Sequence, residues 1–308
     1  MRVIETLTNL PADATDAIVV IGNFDGVHIG HQALLSRARS LAEEQNKQLA
    51  VLTFEPHPRR LLRPDDPPFR ITPVSTKHMR LQACGVDTVY SLPFDWDFAS
   101  QSAAEFIQNV LTDGIVPAHI IVGDDFCFGQ LRKGTAETLK DAGFEVTVVT
   151  KIKDTHGIDF SSSDIRQALR KGEIEKANDM LGWDWEMRGE VVKGDQRGRE
   201  LGYPTANVQL QETLHPAYGV YATLVKLAED GDDAPWMAAA TNIGIRPMFE
   251  LKIGQVEAHI LDFDRDIYGK TLRIKPIKKL RGEAKFDSLE DLIAQIDKDC
   301  DATRALLS

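Results

Sequence analysis

Short apolar runs alternate with helix-spaced apolar positions through the first half of the chain. The runs Ala17–Ile21, Leu49–Phe54, Thr88–Leu92, His119–Val122 and Glu145–Val149 have the length and apolar continuity of buried strands. Between them Gln32–Gln45 carries Ala33, Leu34, Ala38 and Leu41 on one helical face, and Ala103–Leu111 reads as another helix. This alternation predicts an α/β domain with a parallel sheet covered on both faces.

The pattern changes after Ser161. Two short helical stretches, Asp164–Lys171 and Glu173–Leu181, lead into Gly182-Trp183-Asp184-Trp185. From Glu186 onward the chain reads as strands: Met187–Lys193, Tyr221–Leu227, Met237–Ile243, Val256–Leu261 and Thr271–Leu280. Gly194, Gly198, Gly202, Pro204 and Pro216 punctuate them, as in a small antiparallel barrel. A terminal helix follows, capped by Asp287 or Ser288, with Leu289, Leu292, Ile293 and Ile296 as its apolar stripe. The expected division is 1–183 and 184–308, with the boundary near Gly182–Asp184.

Composition narrows the function classes. At 308 residues, 43% hydrophobic and 27% charged, the chain has enough apolar material for two cores. Its net charge of -11 argues against a protein that tracks a nucleic-acid backbone, and leaves room for a local anion site. Cys84, Cys127 and Cys300 are odd in number and far apart, so neither a zinc site nor a disulfide framework is expected. The first residues lack the apolar core of an export signal, and Ala17–Ile21 is too short to span a bilayer. A cytoplasmic protein without membrane or nucleic-acid partners is the expectation.

Candidate chemistry begins where the first long strand ends. Gly22-Asn23-Phe24-Asp25-Gly26-Val27-His28-Ile29-Gly30-His31 is a strand-to-helix turn, the place where α/β sheets bind nucleotides. Glycines let the backbone approach a phosphate, and the helix N-terminus offers oriented N–H groups. His28 and His31, three apart, share a face and can both donate to one phosphate group. A second cluster, Phe160-Ser161-Ser162-Ser163-Asp164-Ile165-Arg166, sets N-cap serines before a helix. Arg166 falls within the first turn, where the dipole disfavours a cation unless an anion meets it.

These two clusters resemble the nucleotidyltransferase superfamily with the H-x-G-H motif. Leu52-Thr53-Phe54-Glu55-Pro56-His57-Pro58 and Val122-Gly123-Asp124-Asp125-Phe126-Cys127-Phe128-Gly129 narrow the resemblance. They are similar to the adenylyltransferase half of bacterial bifunctional riboflavin kinase/FAD synthetases. That half is Rossmann-like; it joins the AMP of ATP to FMN and releases pyrophosphate. The resemblance implies that His28 and His31 contact ATP phosphates, within a site that includes Gly22, Phe24, Asp25 and Gly26. It sets Ser162 and Arg166 on the pyrophosphate, and the flavin beside Pro56–Pro58 and Asp125–Phe128. Asp125 stands where many relatives carry Asn. The FMN phosphate is already an anionic nucleophile, so aligned donors and cations suffice and no general base is needed.

In the second half, Gly189–Arg199 continues as Glu200-Leu201-Gly202-Tyr203-Pro204-Thr205-Ala206-Asn207. The residues alone fit a phosphate-wrapping loop and a Gly-rich hairpin with a turn proline equally well. If the segment is extended, Thr205 and Asn207 face the same way and can serve Mg²⁺ or an ATP phosphate. Periodicity alone makes Glu257 an exposed strand residue between Val256 and Ala258. This run resembles riboflavin kinase, together with Gly219-Val220-Tyr221, Asn242-Ile243-Gly244-Ile245-Arg246-Pro247, Val256-Glu257-Ala258-His259, Leu261–Gly269, Leu280-Arg281 and Lys285–Leu289. Met248 follows Pro247 where relatives usually have Thr.

The kinase resemblance implies a six-stranded antiparallel β-barrel with a terminal helix. It makes Thr205 and Asn207 the Mg²⁺–ATP ligands and Glu257 the catalytic base, in a site with Gly194, Arg199 and Gly202. A base suits the neutral hydroxyl of riboflavin, which must lose a proton as the phosphoryl group arrives. The implied small molecules are riboflavin, FMN, FAD and ATP, with Mg²⁺ as cofactor and apoflavoproteins as acceptors of FAD.

Overall fold

The computed structural model describes residues 1–150, 160–194, 198, 201–210, 212–245 and 254–307. Packing divides the chain into two compact units. The first comprises Met1–Pro67 and Val74–Ser161, the second Pro68–Pro73 and Ser162–Ser308.

The first unit is built on strands β1 (Arg2–Ile4), β2 (Ile18–Ile21), β3 (Leu49–Glu55), β4 (Thr88–Pro93), β5 (His119–Gly123) and β8 (Val146–Val149). They form one parallel sheet in the order β1-β4-β3-β2-β5-β8. Alternate residues feed two cores. Val19, Ile21, Ala50, Leu52, Ile120 and Val122 pack on one face, and Ile18, Val20, Leu49, Val51, Val89 and Ile121 on the other. Both faces are covered, which is why these strands read as continuous apolar runs. The chain steps from β2 through β3 to β4 on one side and returns to β5 on the other. The switch point therefore lies at the carboxyl ends of β2 and β5, where open α/β sheets bind ligands. A short hairpin of β6 (Cys127–Phe128) and β7 (Gly134–Thr135) follows β5. The expected helix at Ala103–Leu111 is an α-turn over Ala103–Phe106 that continues as a π-helix over Ile107–Ile115. The short strand β1 and the helix Val74–Ala83 carry too weak a pattern to be read from sequence.

In the second unit, β9 (Met187–Val192), β10 (Ala206–Leu210), β11 (Gly219–Leu227), β12 (Met237–Ile245), β13 (Gly254–Ile260) and β14 (Thr271–Arg281) close an antiparallel barrel. The order is β10-β13-β12-β11-β14-β9. The barrel is filled by inward positions such as Val191, Val208, Val256, Ala258 and Ile274. The terminal helix is Leu289–Leu307, and Ser288 caps it, its Oγ accepting from Asp291 N at 3.1 Å.

Ser162–Lys171 and Ile174–Leu181 are helices, and their Ile165, Leu169, Ile174 and Leu181 belong to the same core as the barrel. The segment Pro68–Pro73 joins it. Ile71 packs there, and its carbonyl accepts from Nε1 of the fully buried Trp185 at 2.8 Å. By packing, the chain thus divides at Ser161/Ser162, ahead of the 183/184 division read from the sequence.

Candidate functional site

In the first unit β2 ends at Ile21 and the turn Gly22–His28 leads into the helix Ile29–Glu44. The turn is tightly wound. Phe24 (φ 52°), Gly26 (φ 90°) and Val27 (φ 39°) all adopt the left-handed region. For a β-branched residue such as Val27 this stores backbone strain on the order of 1–3 kcal/mol. Its side chain is fully buried in the core, which holds it there. Phe24 and Asp25 are also buried. Thr53 Oγ1 on β3 donates to Asn23 O at 3.2 Å and ties the turn to the sheet.

His28 is the N-cap of the helix. Its Nδ1 accepts from His31 N at 3.4 Å, and the two imidazoles stack with centroids 3.7 Å apart and planes 22° from parallel. Gly30 makes this fit: a Cβ there would lie 3.1 Å from His28 Cε1. The motif therefore delivers two imidazoles to the positive end of a sixteen-residue helix at the switch point. Asp125 lies in the turn after β5, at the other side of that switch point, and is exposed. Around the ends of β3, β4 and β5 runs a chain of rings, Phe94–Phe54–Phe98–Phe106–Phe128–Phe126, with neighbouring centroids 5.0–6.1 Å apart. Its phenylalanines are scattered in sequence and carried no joint signal there.

Ser162 and Arg166 fall in the second unit. The helix begins at Ser162, so Arg166 is its fifth residue, one position beyond the first turn expected from sequence. Its guanidinium is buried, with Nε donating to Phe69 O at 2.8 Å and Cζ 5.6 Å from the Phe69 ring centroid.

The barrel's outer face carries the other group. Asn207 on β10, Glu257 on β13 and Asn242 on β12 sit directly opposite one another on neighbouring strands. Val208, Val256, Ala258 and Ile243 point inward, so period-two alternation sends all three polar side chains outward. Two cavities meet here. One, of about 390 Å³, is lined by Gly194, Thr205, Asn207, Ile260, Phe263 and Tyr268 among others. The other, of about 490 Å³, lies under the terminal helix and is lined by Thr205, Asn207, Glu257, Arg281, Phe286 and Ile296 among others. Thr205 and Asn207 line both, whereas Glu257 lines only the second.

Gly194 packs on Asn207: a Cβ at 194 would lie 2.3 Å from Asn207 Nδ2. Gln255 Nε2 donates to Asn207 Oδ1 at 2.7 Å and to Glu257 Oε1 at 2.8 Å. Sequence reasoning did not single out Gln255, which is one more polar residue on an alternating strand. The wall toward the terminal helix is pinned by Arg281, whose Nη2 donates to Asp299 Oδ2 at 2.8 Å, and by Tyr203, hydrogen-bonded to Asp297. That carboxylate pushes the Tyr203 phenol up to about 12. Gly202 has φ 87° in an open turn. Arg199, Arg246 and Met248 lie outside the described residues.

Among the described residues no group of three or more His, Cys, Asp or Glu could hold a metal ion. The donors at the cavity junction are instead neutral oxygens, Thr205 Oγ1 and Asn207 Oδ1. Such a pair fits Mg²⁺, which keeps several waters and takes other ligands from substrate phosphates.

Family models for FAD synthetase match residues 10–164, and those for riboflavin kinase match residues 181–307. A bifunctional riboflavin kinase/FMN adenylyltransferase of Listeria monocytogenes is 39% identical over 94% of this chain and 92% of its own. One from Escherichia coli K12 is 38% identical over 97% and 96%. A solved structure from Streptococcus pneumoniae, described as a macrolide-efflux protein, is 34% identical and covers 98% of both chains with a TM-score of 0.85. Among the described residues of the present chain, no helix is long and apolar enough to cross a membrane.

Proposed function

The chain belongs to the bifunctional riboflavin kinase/FMN adenylyltransferase family, and from that premise we propose how its residues share the two reactions. The enzyme uses ATP to phosphorylate riboflavin to FMN, and ATP again to adenylylate FMN to FAD. Residues 1–183 carry the adenylyltransferase and 184–308 the kinase. The observation that carries the kinase assignment is the shared pair Thr205 and Asn207 between two cavities, with Glu257 on one side only.

In the kinase, ATP occupies the cavity beside Gly194 and Tyr268, and riboflavin the cavity under the terminal helix. Phosphoryl transfer then runs across the junction. Glu257 takes the proton from the riboflavin hydroxyl as the phosphoryl group arrives. Thr205 and Asn207 orient the triphosphate and would hold Mg²⁺. When bound, that ion neutralises charge on the phosphate oxygens.

In the adenylyltransferase, the stacked His28 and His31 donate to the ATP phosphates at the helix N-terminus. The turn Gly22–Gly26 approaches the nucleotide closely, and pyrophosphate departs. The FMN phosphate attacks the α-phosphorus without a base, since it is already charged. The ring chain that includes Phe54 and Phe126 supplies apolar surface for the flavin beside Asp125.

Apoflavoproteins are the acceptors of FAD in this reading. The enzyme works in the cytoplasm, in keeping with its free thiols Cys84, Cys127 and Cys300. The test is direct. Purified protein is incubated with riboflavin, ATP and Mg²⁺, and products are followed by chromatography. FMN followed by FAD is expected; the appearance of neither overturns the reading.

A further inference from the structure

Gln255 lies two residues before Glu257 on β13, so both side chains leave the same face of the strand. It is half-buried and sits diagonally across from Asn207, which pairs with Glu257. Its single amide nitrogen reaches both neighbours, at 2.7 Å to Asn207 Oδ1 and 2.8 Å to Glu257 Oε1.

The chemistry of these groups fixes their orientation. An ionised carboxylate only accepts hydrogen bonds, so Gln255 must turn its NH₂ toward Glu257. The other hydrogen of that NH₂ then points at Asn207, which must present its oxygen. Asn207 Nδ2 is left facing Gly194, in agreement with the 2.3 Å approach of a Cβ at that glycine. One carboxylate thereby sets the rotation of two amides in sequence. Asn207 Oδ1 retains a second lone pair for a further partner.

We propose that Gln255 is a positioning residue for the kinase, holding the Glu257 carboxylate and the Asn207 amide oxygen in the relative orientation that phosphoryl transfer needs. The proposal rests on the reading of Glu257 and Asn207 given above. Gln255 itself lines neither cavity, so it acts through its two partners. Its loss should lower the rate of the chemical step and leave riboflavin binding in place.

Three substitutions in the full-length enzyme test this. Gln255→Met keeps length and volume and removes the donor. Gln255→Glu keeps shape and adds a second carboxylate beside Glu257. Gln255→Lys keeps a donor. With Met, kinase kcat should fall roughly ten- to hundredfold, the range set by one hydrogen bond to a charged acceptor. KM for riboflavin should stay within about twofold, as should its dissociation constant measured by flavin fluorescence without nucleotide or metal. Glu should be slower than Met, and Lys faster than Met. FAD formation from supplied FMN should be unchanged in all three.

A Met variant with native kcat, while Glu257→Gln is crippled, overturns the proposal and leaves the kinase reading intact. Equal losses in kcat, riboflavin binding and thermal stability across all three variants also overturn it, since they mark a packing role. Native kinase activity in both Glu257→Gln and Gln255→Met overturns the reading of Glu257 itself.

Discussion

Replacing Gly194 by alanine adds one methyl group to the barrel and should remove most of the kinase activity. The built Cβ lies 2.3 Å from Asn207 Nδ2, 2.5 Å from Cγ and 2.6 Å from Oδ1. Comfortable separation of such atoms is about 3.5 Å, so the amide or the Gly194 backbone must give by roughly 1 Å. Asn207 has little freedom to do so. It is 8% exposed, paired in register with Val192 and Glu257, and hydrogen-bonded through Oδ1 to Gln255. A misplacement of about 1 Å in a positioning group costs on the order of a hundredfold in rate. The expected result is therefore a kinase kcat lower by about that factor. The assay follows FMN from riboflavin with saturating Mg²⁺–ATP, beside Asn207→Ala as a reference for outright loss of the amide. FAD formation from supplied FMN is the internal control. Thermal unfolding and riboflavin fluorescence establish that the barrel is folded. A folded Gly194→Ala enzyme that keeps kcat within about threefold of native would refute the claim that this glycine exists to seat Asn207.

Other outcomes follow from the same geometry. His31→Ala should slow FAD formation from FMN by roughly 10²–10³, the usual cost of one transition-state donor, and spare FMN formation; equal damage to both reactions would assign His31 to the fold. Glu257→Gln should lower kinase kcat by about 10²–10⁴ with little change in riboflavin or ATP affinity, and leave the adenylyltransferase alone; a folded variant with native kcat removes Glu257 as the base. A fragment starting at Ser162 should melt at higher temperature than one starting at Asp184, because Ile165, Leu169, Ile174 and Leu181 share the barrel's core. Indistinguishable melting of the two fragments would show that these helices contribute nothing to the barrel's stability.

Much of this protein is legible in its sequence where local pattern and tertiary environment agree. The sheet strands are buried on both faces, so Ala17–Ile21 and Leu49–Phe54 appear as unbroken apolar runs. The H-x-G-H turn is legible because strand, glycines, histidines and helix are contiguous, and the N-cap that starts the helix is decided within a few residues. Ser288 could be named as a cap since capping is decided within a few residues.

Other features depend on distances the sequence does not hold. Ala206–Leu210 is the one barrel strand missing from the apolar pattern, since Pro204 and the glycines before it mask that pattern, and only closure with β9 and β13 makes it a strand. The helices Ser162–Leu181 read as a lead-in to the barrel, but their apolar stripes are satisfied by its core, and so is Ile71 from a segment about ninety residues earlier. Glu257 looks like any outward strand residue until the register sets it opposite Asn207 and Asn242. Gln255 and Gly194 both touch Asn207, across 48 positions in one case and 13 in the other, and no local pattern marks either contact. Local sequence thus determined the strands, the turn from β2 into its helix and the residue types suited to each reaction, because propensity and capping act over a few residues. The tertiary structure alone decided which polar side chains share a face, which glycine makes room for an amide, and where two cavities meet, because strand register and barrel closure join residues that no sequence window contains together.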